Sequence, residues 1–236
     1  MPAQRNYDRP PGAGVDKFPA DAVLPRHRHL HGYASVVLAG TFTEASFWGL
    51  MPARPGDVLL HGRFDSHCDY GQGGAHKVQL LRLPWVYDHI EGHFCISDPD
   101  ELVRVAEDDP WVAMEMLAQN LRPTRVTDPH WTHVLATALK SDGPLSLQEW
   151  AERTGVRPEA LSRGFRRYFG TSPRLYRLEA RSRRAWQKVV CSTQTLTTIA
   201  HECGFADLAH LSRSVRALTG APPSAWRASI KSAPTD

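Results

Sequence analysis

Two hydrophobic periods divide this chain. Between residue 23 and about residue 85, branched and aromatic residues come in short runs at 33–37, 41–48, 57–60 and 77–83, separated by Gly, Pro and Asp turns. Short strands at such close spacing predict a sandwich or barrel. The period changes at Pro99. Asp100 and Glu101 favour a helix start there, Leu102, Val103 and Ala106 supply an apolar side, and Trp111, Met114, Ala118 and Leu121 follow at helical spacing. Residues 99–121 therefore read as two short connecting helices, the second suited either to the core or to dimerisation. Residues 1–22 are Pro- and Gly-rich without periodicity and read as a flexible leader. The segment 122–128, holding Pro123 and ending before Pro129, reads as a linker.

The helical period dominates residues 129–230, with a short tail at 231–236. A helix is predicted from His130 to Lys140. A second starts at Ser146, an N-cap with Glu149 three residues on, and presents Leu147, Trp150 and Ala151 inward. Gly155 ends it and Val156 plugs the turn. The next helix opens at Pro158, where Leu161, Phe165 and Phe169 form an i, i+4, i+8 stripe that must be buried. Glu159, Ser162, Arg163, Arg166 and Arg167 are then turned outward. After a long helix at 174–190 carrying Arg177, Arg181, Arg183, Arg184 and Lys188, the pattern repeats. Leu161-Ser162-Arg163 returns fifty residues later as Leu211-Ser212-Arg213, and Arg166, Gly170, Pro173 and Arg177 return as Arg216, Gly220, Pro223 and Arg227. In the second copy Leu211, Val215 and Leu218 are the buried stripe, leaving Leu208, Ala209, Ser212, Arg213 and Arg216 exposed. Each copy has the layout of a helix-turn-helix.

Charge sharpens this division. Residues 139–231 hold 16 Lys and Arg against 7 Asp and Glu, while the rest of the chain holds 12 against 18, so the overall +3 hides a basic module joined to an acidic one. No apolar run approaches the roughly 18–20 residues that cross a bilayer, and the first twenty residues lack the apolar stretch of an export signal. The expected location is the cytoplasm, with no membrane partner. Cys68, Cys95, Cys191 and Cys203 show no CxxC spacing and read as reduced thiols.

Leu145-Ser146-Leu147, Leu161-Ser162-Arg163, Phe165-Arg166-Arg167, Gly170-Thr171-Ser172-Pro173, Ile199-Ala200, Cys203-Gly204-Phe205 and His210-Leu211-Ser212-Arg213 resemble, in order and spacing, the DNA-binding domain of the AraC/XylS regulators. Leu211 and Val215 stand where that family more often has Phe. The resemblance implies seven helices, with a linker helix holding two recognition helices that enter successive major grooves about 34 Å apart. It further implies that Glu159, Ser162, Arg163, Ala209, Ser212 and Arg213 face bases, and that Arg166, Arg167, Arg183, Arg184 and Arg216 face the phosphate backbone. Duplex DNA and RNA polymerase are the implied partners, and activation the implied mode.

The β region carries a second constellation. His27 and His29, then Tyr33, then Gly40, Pro55-Gly56-Asp57, His61 and His67 resemble the two-part motif of the cupin barrel, in which an HxH pair, a Glu and a later His converge on a metal. Alternate strand residues share a face, which suits His27 and His29, and His67 lies eleven residues after Gly56 as the motif asks. Tyr33 holds the Glu position, and Gly62, Phe64 and Gly71 replace the motif's Pro, Gly and Asn, so a carboxylate ligand is missing. His27, His29, Tyr33, His61 and His67 are the candidate pocket residues, for a divalent Zn-like metal or an organic effector. Glu44 reads equally as a pocket group or a solvated turn residue. His31, His76, His89 and His93 read as surface histidines without a role.

The expected fold class is thus α+β: an N-terminal cupin-like β-barrel or jelly roll over residues 23–98, then an all-α domain of two helix-turn-helix units joined by a linker helix. The expected function is an effector-responsive, sequence-specific transcription regulator, with homodimerisation consistent with the connecting helices. A cupin-type metal-dependent enzyme and an architectural DNA-binding protein without effector are the alternatives.

Overall fold

The computed structural model describes residues 15–72, 75–82, 91–124, 130–141 and 145–231. Outside them lie most of the expected leader and linker, residues 83–85, His89 and the tail after Lys231. The chain divides into two compact units, with the main boundary between Val134 and Leu135 and residues 168–170 grouped with the first unit.

Among the described residues the first unit holds ten strands: β1 (Val15–Phe18), β2 (Val23–Arg28), β3 (Tyr33–Ala39), β4 (Phe42–Ser46) and β5 (Gly49–Ala53) come first. β6 (Asp57–His61), β7 (Ser66–Gly71), β8 (His76–Arg82), β9 (Gly92–Cys95) and β10 (Arg122–Pro123) follow. They form two sheets, in the orders β1-β8-β3-β6-β9-β10 and β2-β7-β4-β5. Every strand pairing among the described residues is antiparallel.

Period-two alternation explains the layering. On β3 and β6, Ala34, Val36, Val58 and Leu60 face one way and join Leu102 and Ala106 of α1 (Pro99–Asp108) and Ala113, Met114 and Leu117 of α2 (Pro110–Asn120) in one core. Val37 and Leu59 face the other way and meet Phe42 and Ala53 of the second sheet, with Val78. Both faces of β3 and β6 are covered, which is why the run at 33–37 lacks a polar side.

Three expectations change here. β1 forms inside the segment read as a leader, pairing Val15–Phe18 with β8. Four residues at a sheet edge carry too little periodicity to be seen. β10 draws Arg122 and Pro123 of the expected linker onto β9. Helices α1 and α2 are core elements of the β unit, and the stripe on α2 is displaced: Trp111 is 66% exposed and Ala118 is exposed, while Ala113, Met114 and Leu117 are buried. α2 is apolar around most of its circumference, so periodicity does not choose its inward face.

The all-α part comprises seven helices among the described residues, of which α3 (Trp131–Lys140) spans the boundary. α4 (Leu147–Thr154) and α5 (Pro158–Phe169) form the first helix-turn-helix, and α7 (Leu196–Glu202) and α8 (Leu208–Thr219) the second. α6 (Pro173–Cys191) runs between them, and α9 (Pro223–Lys231) closes the unit. Caps set the register: Ser146, Ser172, Thr195 and Asp207 each accept from the backbone N–H three residues on. Gly155 ends α4 at φ +70°, a left-handed cap that a side chain would strain. Leu161, Phe165, Phe169, Leu211, Val215 and Leu218 are all buried, as their spacing predicts. The fold is α+β.

Candidate functional site

Burial of those two stripes decides what α5 and α8 show to solvent. On α5, Glu159, Ser162, Arg163, Arg166 and Arg167 are exposed. On α8, Ala209, Arg213 and Arg216 are exposed, Ser212 is half-buried, and Leu208 is an exposed apolar residue. Both faces offer guanidinium groups able to take a guanine edge or a phosphate in two parallel hydrogen bonds.

α6 is the linker helix expected between the two units, but two of its arginines are not placed as expected. Arg183 is only 6% exposed, so it cannot lie along a phosphate backbone. Arg184 is half-buried and donates to the Lys140 carbonyl at 3.0 Å, satisfying the C-terminal end of α3. Arg177 donates to the Leu145 carbonyl at 3.3 Å, ahead of α4, and Arg181 to the Gly204 carbonyl at 3.2 Å, in the second turn. Lys188 pairs with Glu202 of α7. Arg227 of α9 donates to the carbonyls of Val189 and Gln194. Cations along one helix thus reach both helix-turn-helix units. The spacing rule that found α6 missed this, because a helix covered on two sides buries charges that periodicity assigns to solvent.

In the β unit the two sheets bring four imidazoles together. His27, the last residue but one of β2, pairs in register with His67 of β7; their ring centroids lie 4.2 Å apart. His29, one residue beyond β2, stacks on His67 at 5.4 Å and meets the Tyr33 ring edge-on at 4.5 Å. His61, at the end of β6, stacks on Tyr33 at 4.6 Å and lies 4.4 Å from His67. All five candidate pocket residues therefore converge. His93, read as a surface histidine, is buried instead, with Nε2 3.0 Å from Asp57.

A carboxylate does lie in this cluster, on another strand. Glu44 on β4 is 5% exposed, not a solvated turn residue, and its Oε2 lies 3.2 Å from His61 Nε2. Asp65 holds the other edge of the ring, Oδ2 to Nδ1 at 3.1 Å. Burial pulls the His61 pKa down, but the two carboxylates outweigh it and push the value up to about 10. Asp69, opposite Glu44 in the sheet, is raised well above the ordinary carboxylate range by burial and then by the Glu44 charge. His67 is lowered well below 6.5, by burial first and by neighbouring cations second, and His27 is lowered mainly by burial. Burial likewise raises the Tyr33 hydroxyl well above 10.

Two sets of donors have metal-like spacing. One ligand atom from each of His27, His29 and His67 lies within 4.8 Å of the others, and the same holds for Glu44, His61 and His67. Neutral imidazole nitrogens suit borderline divalent ions, so the residues fit such a metal.

Comparison with known proteins places residues 150–229 in a helix-turn-helix domain family. Over 80 residues the chain is 34% identical to the HTH-type transcriptional regulator GbdR of Pseudomonas aeruginosa, a match covering 34% of this chain and 22% of that protein. Over 90 residues it is 31% identical to the HTH-type transcriptional regulator ArgR of the same species, covering 38% and 27%. The matched part thus spans less than a third of either relative's length. A transcriptional regulator with an AraC-type DNA-binding domain from Chromobacterium violaceum is similar at 29% identity and a TM-score of 0.39, covering 42% of this chain and 91% of that one. The DNA-binding domain of AdpA, solved with a target DNA, is similar at 25% identity and a TM-score of 0.38, covering 42% and 89%. Residues 150–229 of this chain thus form a helix-turn-helix domain. No helix among the described residues is long and apolar enough to cross a membrane.

Proposed function

We propose that this protein is a sequence-specific transcription regulator that reads duplex DNA with α5 and α8 in successive major grooves and answers to an effector in the β unit. The observation that supports it is the pair of exposed faces, Glu159, Ser162 and Arg163 on one helix and Ala209, Ser212 and Arg213 on the other, repeated at a fifty-residue offset and tied to one connecting helix. Arg163 and Arg213 are the strongest base readers because each can take guanine O6 and N7 together. Leu208 and Ala209 offer no polar end, so the first block of bases carries more of the sequence information. Arg166, Arg167 and Arg216 contact phosphates and set register. The relatives it matches are named as transcriptional regulators, and on that analogy the chain regulates transcription and is not an enzyme; activation beside RNA polymerase rests on the AraC/XylS resemblance.

The effector pocket is the His27, His29, Tyr33, His61 and His67 cluster, open to a metal or a small molecule. Coupling requires that the effector bind the DNA-competent state with a different affinity from the other. The exposed Trp111 and Val112 on α2 are the surface through which a homodimer would form. Selection of the purified full chain against random duplex DNA at physiological salt tests the reading: it predicts enrichment of two short blocks about one helical turn apart. Retention that tracks charge alone, with no enriched bases under any effector, would refute it in favour of an architectural role.

A further inference from the structure

The duplication extends beyond the reading faces to the way each helix-turn-helix unit is closed. Leu145 stands one residue before the N-cap of α4, and Gln194 one residue before the N-cap of α7. The carbonyl of the cap residue takes the first helical hydrogen bond, from Trp150 N–H to Ser146 and from Ile199 N–H to Thr195, each at 3.0 Å. The carbonyl before it lies outside that ladder and needs another donor. In the first unit Arg177 of α6 supplies it, Nη1 donating to the Leu145 oxygen at 3.3 Å. In the second, Arg227 of α9 supplies it, donating from Nη1 to Gln194 while Nε and Nη2 donate to the Val189 carbonyl at 3.3 and 3.2 Å.

These are one device used twice. Arg177 and Arg227 are both half-buried and hold the same place in the repeat, four residues after Pro173 and Pro223. The two carbonyls lie forty-nine residues apart and the two arginines fifty, so the contact is kept across a one-residue difference in length between the copies. A cation beside a helix N-terminus opposes the helix dipole, so neither arginine favours its helix electrostatically. In each copy the bond joins the helix before a reading helix to the helix after it: α4 to α6 around α5, and α7 to α9 around α8.

We propose that Arg177 and Arg227 are equivalent positioning residues, each setting the angle of the reading helix its bond encloses, α5 for Arg177 and α8 for Arg227. The inference rests on the reading of DNA by α5 and α8 above and adds the residues that aim them. Neither arginine contacts a base; each acts through the backbone it holds. A binding constellation works only within roughly 0.5 Å and 10–20° of its productive geometry, so a loosened reading helix loses base discrimination.

The test is random-duplex selection with the full chain, its two blocks assigned to their reading helices by Arg163→Ala and Arg213→Ala. Arg177→Ala should lower base discrimination about five- to a hundredfold, the worth of one bidentate contact, in the α5 block and leave the α8 block as in wild type. Arg227→Ala should do the reverse. Arg227→Lys should recover part of the loss, since one ammonium replaces a fork that serves two carbonyls. Hydrogen exchange on the same proteins without DNA reads the device directly: Arg177→Ala should speed exchange at residues 147–154 but not at 196–202, and Arg227→Ala the opposite. If an alanine variant fails to fold by circular dichroism, Arg177→Lys or Arg227→Lys carries both measurements at that position. Equal loss in both blocks, or no loss in either, overturns the positioning role, and so does exchange that rises in both units together. A wild type that selects no bases removes the reading of DNA instead, and the exchange pattern alone then decides whether each arginine aligns its own unit.

Discussion

Exposed and buried arginines should separate cleanly in a salt titration. Arg166, Arg167 and Arg216 are exposed on the reading helices, whereas Arg183 is buried in α6. Each phosphate neutralised contributes about −0.9 to the slope of log affinity against log salt, so replacing all three exposed residues with Ala should make the slope shallower by about 2.7. Between 50 and 200 mM salt, one contact accounts for about a 3.5-fold and three for about a 40-fold part of the affinity loss. Arg183→Ala should leave the slope unchanged while lowering stability by about 1–3 kcal/mol, since it removes a buried side chain and whatever its guanidinium holds. Fluorescence anisotropy on one labelled duplex at five salt concentrations, beside thermal melts of each variant, measures both quantities. An unchanged slope in the triple variant, or a shallower one in a folded Arg183→Ala protein, would show that the burial argument misassigns these charges.

Two further outcomes follow from the sites. Arg163→Ala should relax base preference in one block only, by about 1–3 kcal/mol of discrimination, in the same random-duplex selection; uniform weakening across all sequences would make Arg163 a phosphate contact. The His61 imidazolium sets a pH dependence of known sign. Its pKa is raised in the folded state from 6.5 to about 10, so its contribution to stability is fully present below pH 6.5 and is lost as pH rises towards 10. Urea unfolding of the β unit between pH 6 and 10 should show wild type losing stability with pH more steeply than Glu44→Gln, and parallel curves would deny the ion pair its role.

The all-α part was almost wholly legible from the sequence because its reading helices each have one buried stripe, and 3.6-residue spacing finds a stripe directly. Arg183 and Arg184 escaped for the converse reason: α6 is covered on two sides. The β unit was harder. Strand β7 turns His67 and Asp69 inward, so its polar residues sit on the side where a strand normally hides apolar ones, and alternation gives no signal. The histidine members of the cluster were visible as motif residues. Glu44 was not assigned, since its approach to His61 depends on β4 and β6 lying in different sheets that meet, a long-range fact that local pattern does not encode.

The bracing of α6 bears on how target sites would evolve. One residue added to a helix turns everything beyond it by 100° and advances it 1.5 Å, so the two reading helices are held in fixed phase by a strut pinned to its neighbours through Arg177, Arg181 and Arg184. One base pair inserted between the two recognised blocks turns the second block by about 35° about the DNA axis. Neither partner has slack to absorb that rotation, whereas a changed base inside a block costs only the contacts of that block. Promoters under such a regulator would drift by substitution while their spacing stays frozen, so a constant interval between two variable words is the mark by which its sites would be recognised in a genome.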